Sequence, residues 1–268
     1  MKTALVTGAT DGIGRETARQ LLSRGLHVFV HGRTQGKATQ QVKALSNGRL
    51  SGHAAPVWGD LSDMRQVVVL AQQVTEHAPT LDVLINNAGV FEKRRKLTCD
   101  GLEMTMAVNH FAPFLLTHHL LPALSAAHAG RVVTVSSIAH QSGHIDLGDL
   151  TFSAAYDGYE TYAASKLANI LFTHTLAYWL SGTRVTANAL HPGVIGTKLL
   201  HAAFSISGAP IEQGARTSVF LAVSDDVSGV SGKYFVDCRE ATPSREARDD
   251  ALAAALWAAS ERALAAFL

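Results

Sequence analysis

Along the chain, short apolar or β-branched runs alternate with longer stretches in which apolar positions recur three and four residues apart. The runs at residues 3–7, 27–31, 54–58, 83–86, 131–136, 184–190 and 233–236 have the length and composition of strands. Between them, helical spacing begins near Gly12, Gly36, Asp63, Asp100, Gly158 and Ile211, and a last such stretch covers residues 244–267. Strand–helix alternation builds βαβ units, whose crossovers are right-handed. Seven such strands predict an α/β fold: a doubly wound parallel sheet with helices on both faces. No repeat, low-complexity tract or linker interrupts the pattern, so residues 1–268 are expected to form one domain. Two irregular segments, residues 138–157 and 193–210, follow the carboxyl ends of predicted strands, where sheets of this kind bind ligands. They are the expected walls of a substrate site.

The first predicted strand runs directly into Thr7-Gly8-Ala9-Thr10-Asp11-Gly12-Ile13-Gly14, followed by a helical run with Ala18, Leu21 and Leu22. Glycines at this point permit a tight turn and close approach of the backbone to a pyrophosphate, whose charge sits at the helix amino terminus. The spacing is GxxxGxG, not the GxGxxG of the common dinucleotide fingerprint. The second predicted strand ends at His31-Gly32-Arg33-Thr34. An acidic residue here would bond a ribose 2′-hydroxyl; it is missing, and Arg33 suits a 2′-phosphate instead. NADP(H) is therefore the expected cofactor, with NAD(H) as the alternative. Asp11 works against this, because it adds negative charge beside the phosphate turn.

Of the five tyrosines, Tyr162 alone has a cation four residues on, in Tyr162-Ala-Ala-Ser-Lys166. Tyr156 is followed at that offset by Glu160, Tyr159 by Ala163, Tyr178 by Gly182 and Tyr234 by Cys238. On a helix this spacing places an ammonium beside a phenol. A cation within ~4–6 Å favours the phenolate by roughly 1–3 units from its usual value near 10. Tyr162 is thus expected to exchange a proton near neutral pH.

With these motifs the chain resembles the short-chain dehydrogenase/reductase family, which implies a Rossmann-like sheet. Further family motifs follow in order. Asp60-Leu61 matches the adenine contact, and Asn86-Asn87-Ala88-Gly89 the segment beside the adenosine ribose. Asn109 matches a helix asparagine of the catalytic tetrad, and Ser136-Ser137 supplies its serine. His191-Pro192-Gly193-Val194, with Thr197 beyond, stands where the family holds nicotinamide and phosphate. The resemblance implies a catalytic set of Asn109, Ser137, Tyr162 and Lys166. It implies a cofactor set of Gly8, Thr10, Asp11, Gly12, Ile13, Gly14, Arg33, Asp60, Leu61, Asn87, Ala88, Gly89, Tyr162, Lys166, Pro192, Gly193, Val194 and Thr197. Ser137 would hydrogen-bond the substrate carbonyl and Tyr162 would protonate it as hydride arrives. Lys166 would hold the nicotinamide ribose, and Asn109 a backbone carbonyl and a proton-carrying water. Ser136 rivals Ser137, since strand alternation lets only one of them face the site; the family alignment favours Ser137.

The long Ser137–Tyr162 separation and the segments around Val135–His140, Ser165–Asn169, Gly232–Cys238 and Leu256-Trp257 resemble the retinol dehydrogenase and WW-domain oxidoreductase branch. That implies a lipophilic aldehyde, ketone or alcohol as substrate. In relatives the long helices corresponding to residues 100–124 and 158–180 pair across a two-fold axis, which implies a homodimer or homotetramer. Two other readings compete: a non-catalytic NADP-sensing protein of the same fold and an NAD-preferring alcohol dehydrogenase. A sugar-nucleotide epimerase of the extended family would need a larger carboxyl-terminal part.

Composition narrows the partners. The chain is 47% hydrophobic and 17% charged, with a formal net charge of +1, which gives no broad footprint for nucleic acid or anionic membrane. Cys99 and Cys238 suggest reduced thiols, and no apolar stretch reaches about 18 residues, so a cytoplasmic protein without membrane insertion is expected. The 13 histidines form no HExxH or tight ligand cluster, and no metal is expected. The basic run Lys93–Lys96 reads as a solvated loop. Leu199, Leu200, Ala202, Ala203, Phe204 and Ile206 read as a lid over an apolar substrate, with Phe152 and Tyr156 as further wall residues. The alanine-rich tail at residues 251–266 reads as a core-covering or subunit-contact helix.

Overall fold

A computed structural model describes residues 1–48, 50–203 and 206–268. Its strands are β1 (Thr3–Val6), β2 (His27–Gly32), β3 (His53–Trp58), β4 (Val83–Asn86), β5 (Arg131–Val135), β6 (Thr186–His191), β7 (Tyr234–Val236) and β8 (Arg239–Ala241). They form one sheet in the order β3-β2-β1-β4-β5-β6-β7-β8, parallel except for the last pair. β4 and β5 are buried along their whole length, which explains why they read as unbroken apolar runs.

Successive side chains along each strand feed two different cores. Leu5, Leu84 and Val132 face α3 (Met64–His77), α5 (Ala112–Ala126) and α6 (Gly158–Trp179). Their neighbours Val6, Ile85 and Val133 face α1 (Gly12–Ser23), α2 (Gln35–Ser46) and α8 (Ile211–Val223). The strand order reverses between β1 and β4, so the crevice for a ligand opens at the carboxyl ends of those two strands.

The expected doubly wound parallel sheet of seven strands is present and gains an eighth, antiparallel edge strand, β8. It is joined to β7 by Asp237 and Cys238, both at positive φ (48° and 61°), as in a two-residue hairpin turn. With only Arg239, Glu240 and Ala241, two of them exposed, β8 has no apolar alternation to read. The helix expected from Asp100 begins later. It consists of a short α4 (Met104–Met106), a π turn at Ala107–Phe111 and then α5. A short α7 (Lys198–Ala203) crosses the segment after β6.

The tail forms α9 (Asp250–Leu264), capped by the Asp249 carboxylate on the Leu252 N–H at 2.9 Å. It packs on α6 through Leu256, Ala259 and Leu264, all buried, and sets Trp257 against Phe114 (4.7 Å between centroids) and Phe172 (5.9 Å). A buried bond between Ser260 Oγ and His110 Nε2, 2.8 Å, ties it to the π turn. Leu167, Ile170, Leu171 and Leu176 of α6, the helix expected to pair with a second copy, are all buried within this chain.

Candidate active site

The glycine turn is locked to the loop after β4. The Thr7 hydroxyl accepts the N–H groups of Asn87 (2.9 Å) and Ala88 (3.0 Å), and Asn87 Nδ2 donates to the Thr7 carbonyl at 2.7 Å. A Cβ on Gly14 would lie 2.3 Å from the Gly8 carbonyl oxygen and 2.4 Å from Asn87 Nδ2, so only glycine fits this crossing. Asp11 is the N-cap of α1, accepting from the Gly12 N–H at 2.8 Å. Its carboxylate also pairs with Lys198 from α7, and that contact holds the carboxyl below its usual range. The charge counted against a phosphate is therefore offset by a cation from the opposite wall.

His31, at the end of β2, went unassigned in the sequence and proves to support this turn. Its Nδ1 accepts the Gly8 N–H at 3.0 Å, and its Nε2 lies 2.9 Å from the Gly59 carbonyl, which only accepts, so Nε2 carries the proton. Burial pulls this imidazole down to about 4. Just past the end of β2, Arg33 sits 3.8 Å from the Asp60 carboxylate, and both line the cavity with Leu61. Lys37, in the first turn of α2, lines it too. A solvated lysine in an ordinary helix start carries no sequence signal, and it was missed.

The structure separates the two serines. Both border the cavity, but Ser136 is buried and its hydroxyl donates to the Lys166 carbonyl at 2.7 Å. Ser137 Oγ caps the short 3-10 turn Ile138–Ser142 by accepting the Ala139 N–H at 3.2 Å, and it hydrogen-bonds the Tyr162 side chain. Tyr162 and Lys166 lie on one face of α6, but the ammonium stands over the ring, 5.6 Å from its centroid, and donates to the Val135 carbonyl at 3.0 Å. Burial pushes the phenol up to about 12, against the pull of Ser137, and burial pulls Lys166 down to about 8. The expected low phenol pKa is thus reversed, because burial sets the direction of the shift.

Asn109 lies in the π turn, a distortion frequent at functional sites. It is fully buried and does not line the cavity. Its amide accepts the Val90 N–H (2.8 Å) and donates to the Val90 carbonyl (3.1 Å) and to Ser165 Oγ (2.9 Å), so it tethers the loop after β4 to α6.

A cavity of about 820 Å³ joins these parts. Gly8, Thr10, Asp11, Gly12, Ile13 and Gly14 of the turn line it, as do Asn87, Ala88 and Gly89 after β4, Ser137, Tyr162 and Lys166, and Pro192, Gly193, Val194 and Thr197 after β6. Its outer wall is Ile138, Ala139, Gln141, Ser142 and Tyr159, with Leu199, Leu200 and Ile206 from the segment after β6. Phe204 of the expected lid lies outside the described residues. Phe152 and Tyr156 are corrected: Phe152 packs on the core, and the Tyr156 hydroxyl donates to the Glu92 carbonyl at 2.8 Å. The basic run is partly engaged, with Lys96 on Glu92 at 2.6 Å and Arg95 Nε on the Thr151 carbonyl at 2.9 Å. Among the described residues one trio, Asp63, Cys99 and Asp100, brings metal-type ligand atoms together, but both carboxylates already accept backbone N–H groups of α3.

The residues fit a nicotinamide dinucleotide. The turn is closed by glycines where a Cβ would not fit, and Arg33, Lys37 and a phenol–lysine–serine group line the same cavity. The volume lies in the ordinary range of ligand pockets.

Residues 2–205 match the short chain dehydrogenase family. The chain is 40% identical to retinol dehydrogenase 14 of Mus musculus over 97% of its own length and 85% of that protein. It superposes on a crystal structure of an uncharacterized protein from Mycobacterium paratuberculosis with a TM-score of 0.82 and 34% identity, covering 98% and 93% of the two chains. It also superposes on a Beutenbergia cavernae structure described as an NAD(P) dependent gluconate 5-dehydrogenase with bound NADP at low occupancy, with a TM-score of 0.73, 28% identity and 88% and 94% coverage.

Proposed function

The chain belongs to the short chain dehydrogenase family, an oxidoreductase family of nicotinamide-dependent enzymes, and from that premise we propose that it reduces a lipophilic aldehyde or ketone to the alcohol with NADPH. The observation that carries this reading is that the glycine turn and the Ser137–Tyr162–Lys166 group line one and the same cavity. Bound there, the dinucleotide supplies the hydride. Ser137 Oγ accepts the Ala139 N–H, and its own proton, shared with Tyr162 in the free site, would turn to the substrate oxygen as charge develops there. Tyr162 then passes its proton to that oxygen. A phenol held at about 12 carries at neutral pH the proton that this transfer needs. Lys166 keeps a positive charge beside the ring and steadies the phenolate left behind. Asn109 keeps the Val90 loop and α6 in register.

NADPH over NADH rests on Arg33 and Lys37, two cations where a 2′-phosphate would sit, with no carboxylate at the end of β2. The lipophilic substrate rests on Ile138, Val194, Leu199, Leu200 and Ile206 around the outer cavity and on the likeness to a retinol dehydrogenase. Two unpaired thiols fit a reducing cytosolic setting, and among the described residues no helix is long and apolar enough to cross a membrane. A homo-oligomer remains an inference from the family resemblance alone, now that α6 is covered by the chain's own residues.

The test is kcat/KM along a series of longer alkyl and aryl aldehydes with NADPH. Each added methylene should contribute up to about 0.8 kcal/mol until the cavity is full. A flat profile, with high activity on small charged carbonyls, would overturn the substrate reading.

A further inference from the structure

Two buried histidines outside the proton transfer, His140 and His191, grip one peptide group beside Ser137. His140 Nδ1 lies 2.7 Å from the Ser137 carbonyl oxygen; a carbonyl only accepts, so Nδ1 carries the proton. Its Nε2 is then an acceptor, and it takes the Ser244 N–H at 3.1 Å. His191, the last residue of β6, has the opposite tautomer: its Nδ1 accepts the Ile138 N–H at 3.1 Å. The Ser137 carbonyl and the Ile138 N–H are the two poles of a single peptide plane. That plane is held from one side by the 3-10 turn and from the other by β6; the His191 bond to Ile138 and the His140 bond to Ser244 each need a neutral imidazole, because a ring nitrogen accepts in both. Burial supplies that state, pulling His140 below its ordinary value and His191 down to about 4.

We propose that His140 and His191 are positioning residues for Ser137, clamping both poles of the Ser137–Ile138 peptide so that the serine hydroxyl meets the substrate carbonyl in one direction. This rests on the reading of Ser137 as the carbonyl donor. His140 extends the clamp to Ser244, ahead of α9, so the carboxyl-terminal segment is hydrogen-bonded to the serine's own turn. Orientation of this kind governs the rate at a bound substrate more than the binding of cofactor.

The experiment compares asparagine with glutamine at each position in the full-length chain. An asparagine amide reaches the place of the imidazole Nδ1, whereas a glutamine amide reaches that of Nε2. With NADPH and an aldehyde the parent accepts, His140→Asn and His191→Asn should keep kcat within about three-fold, while His140→Gln and His191→Gln should lose about ten-fold or more. NADPH affinity, by titration, should stay within about two-fold throughout. In a Ser137→Ala background the glutamine changes should add less than about two-fold, because the group they position is gone. Glutamine variants with parent kcat, or with undiminished losses in the Ser137→Ala background, would overturn the clamp while leaving the serine's role intact. Ser137→Ala with parent turnover would overturn both. Should a glutamine variant fail to fold, His191→Leu takes its place with the same expected loss and the same background test.

Discussion

Lys166 is buried with the Val135 carbonyl as its hydrogen-bond partner and a ring face beneath it, an arrangement that opposes stability in order to place a cation beside a phenol. Its folded pKa, about 8, lies below the 10.5 of a free lysine, so at neutral pH the native state carries a cost that fades only as pH rises from about 8 towards 10.5. Lys166→Met removes that cost. We expect its Tm at pH 7 to rise by several degrees, for a gain of about 1–3 kcal/mol, while turnover and cofactor affinity both fall. Calorimetry showing a lower Tm would contradict this account of the burial. Tyr162→Phe should keep cofactor affinity, since the ring still packs on Phe91 at 5.9 Å, and lose turnover by about two orders of magnitude or more. Residue spacing gave the proximity of Tyr162 and Lys166 but not the sign of the phenol's shift, because desolvation depends on what α6 is packed against. The choice between Ser136 and Ser137 was likewise beyond the pattern, since it turns on a hydroxyl meeting the Lys166 carbonyl from a distant element.

The turn from β2 into α2 is where coenzyme choice should be set. Placing an aspartate at Gly32, as the sequence invites, fails on packing: its Cβ would lie 2.8 Å from Thr10 Cγ2 and 3.0 Å from the Ala38 backbone nitrogen. Arg33→Ala with Lys37→Ala leaves that packing alone and should cut the NADPH-over-NADH affinity ratio by about ten-fold or more, read by titration. A parent that binds NADH more tightly would overturn the preference itself. At the other end of the chain, Leu256→Ala should cost about 2–5 kcal/mol of stability, because α9 presses that side chain fully into α6. The alternating strands and the tail helix were legible because each has a buried stripe of clear period. The π turn at Ala107–Phe111 and β8 were not: one continues a helical pattern with a single extra residue, and the other is three residues of mostly exposed chain.

For the molecule as a whole, several buried histidines are neutral by design of their hydrogen bonds or surroundings. Burial pulls His31 and His191 down to about 4 and His110 to about 3, below the free value of 6.5. The unfolded chain binds protons that the native chain refuses, so their contribution is intact above about 6.5 and is lost as pH falls towards 4. Tm should therefore drop between pH 7 and pH 5, and an unchanged Tm across that window would contradict these burial effects. His31 supports the phosphate turn and His191 the serine's peptide, so cofactor binding and turnover should weaken over the same window. The order of the motifs made the cavity's lining legible in advance, since every expected cofactor residue faces it; Asn109 does not, because a buried tether and a lining residue look alike in sequence. The most direct test of the central claim is single-turnover hydride transfer, followed at the nicotinamide absorbance, from saturating NADPH to a long-chain aldehyde in the parent and in Tyr162→Phe. The account predicts rapid NADPH consumption by the parent and a rate reduced by about two orders of magnitude or more in the variant at equal cofactor occupancy. Equal rates in the two proteins, or no consumption of NADPH by the parent with any lipophilic carbonyl, would contradict it.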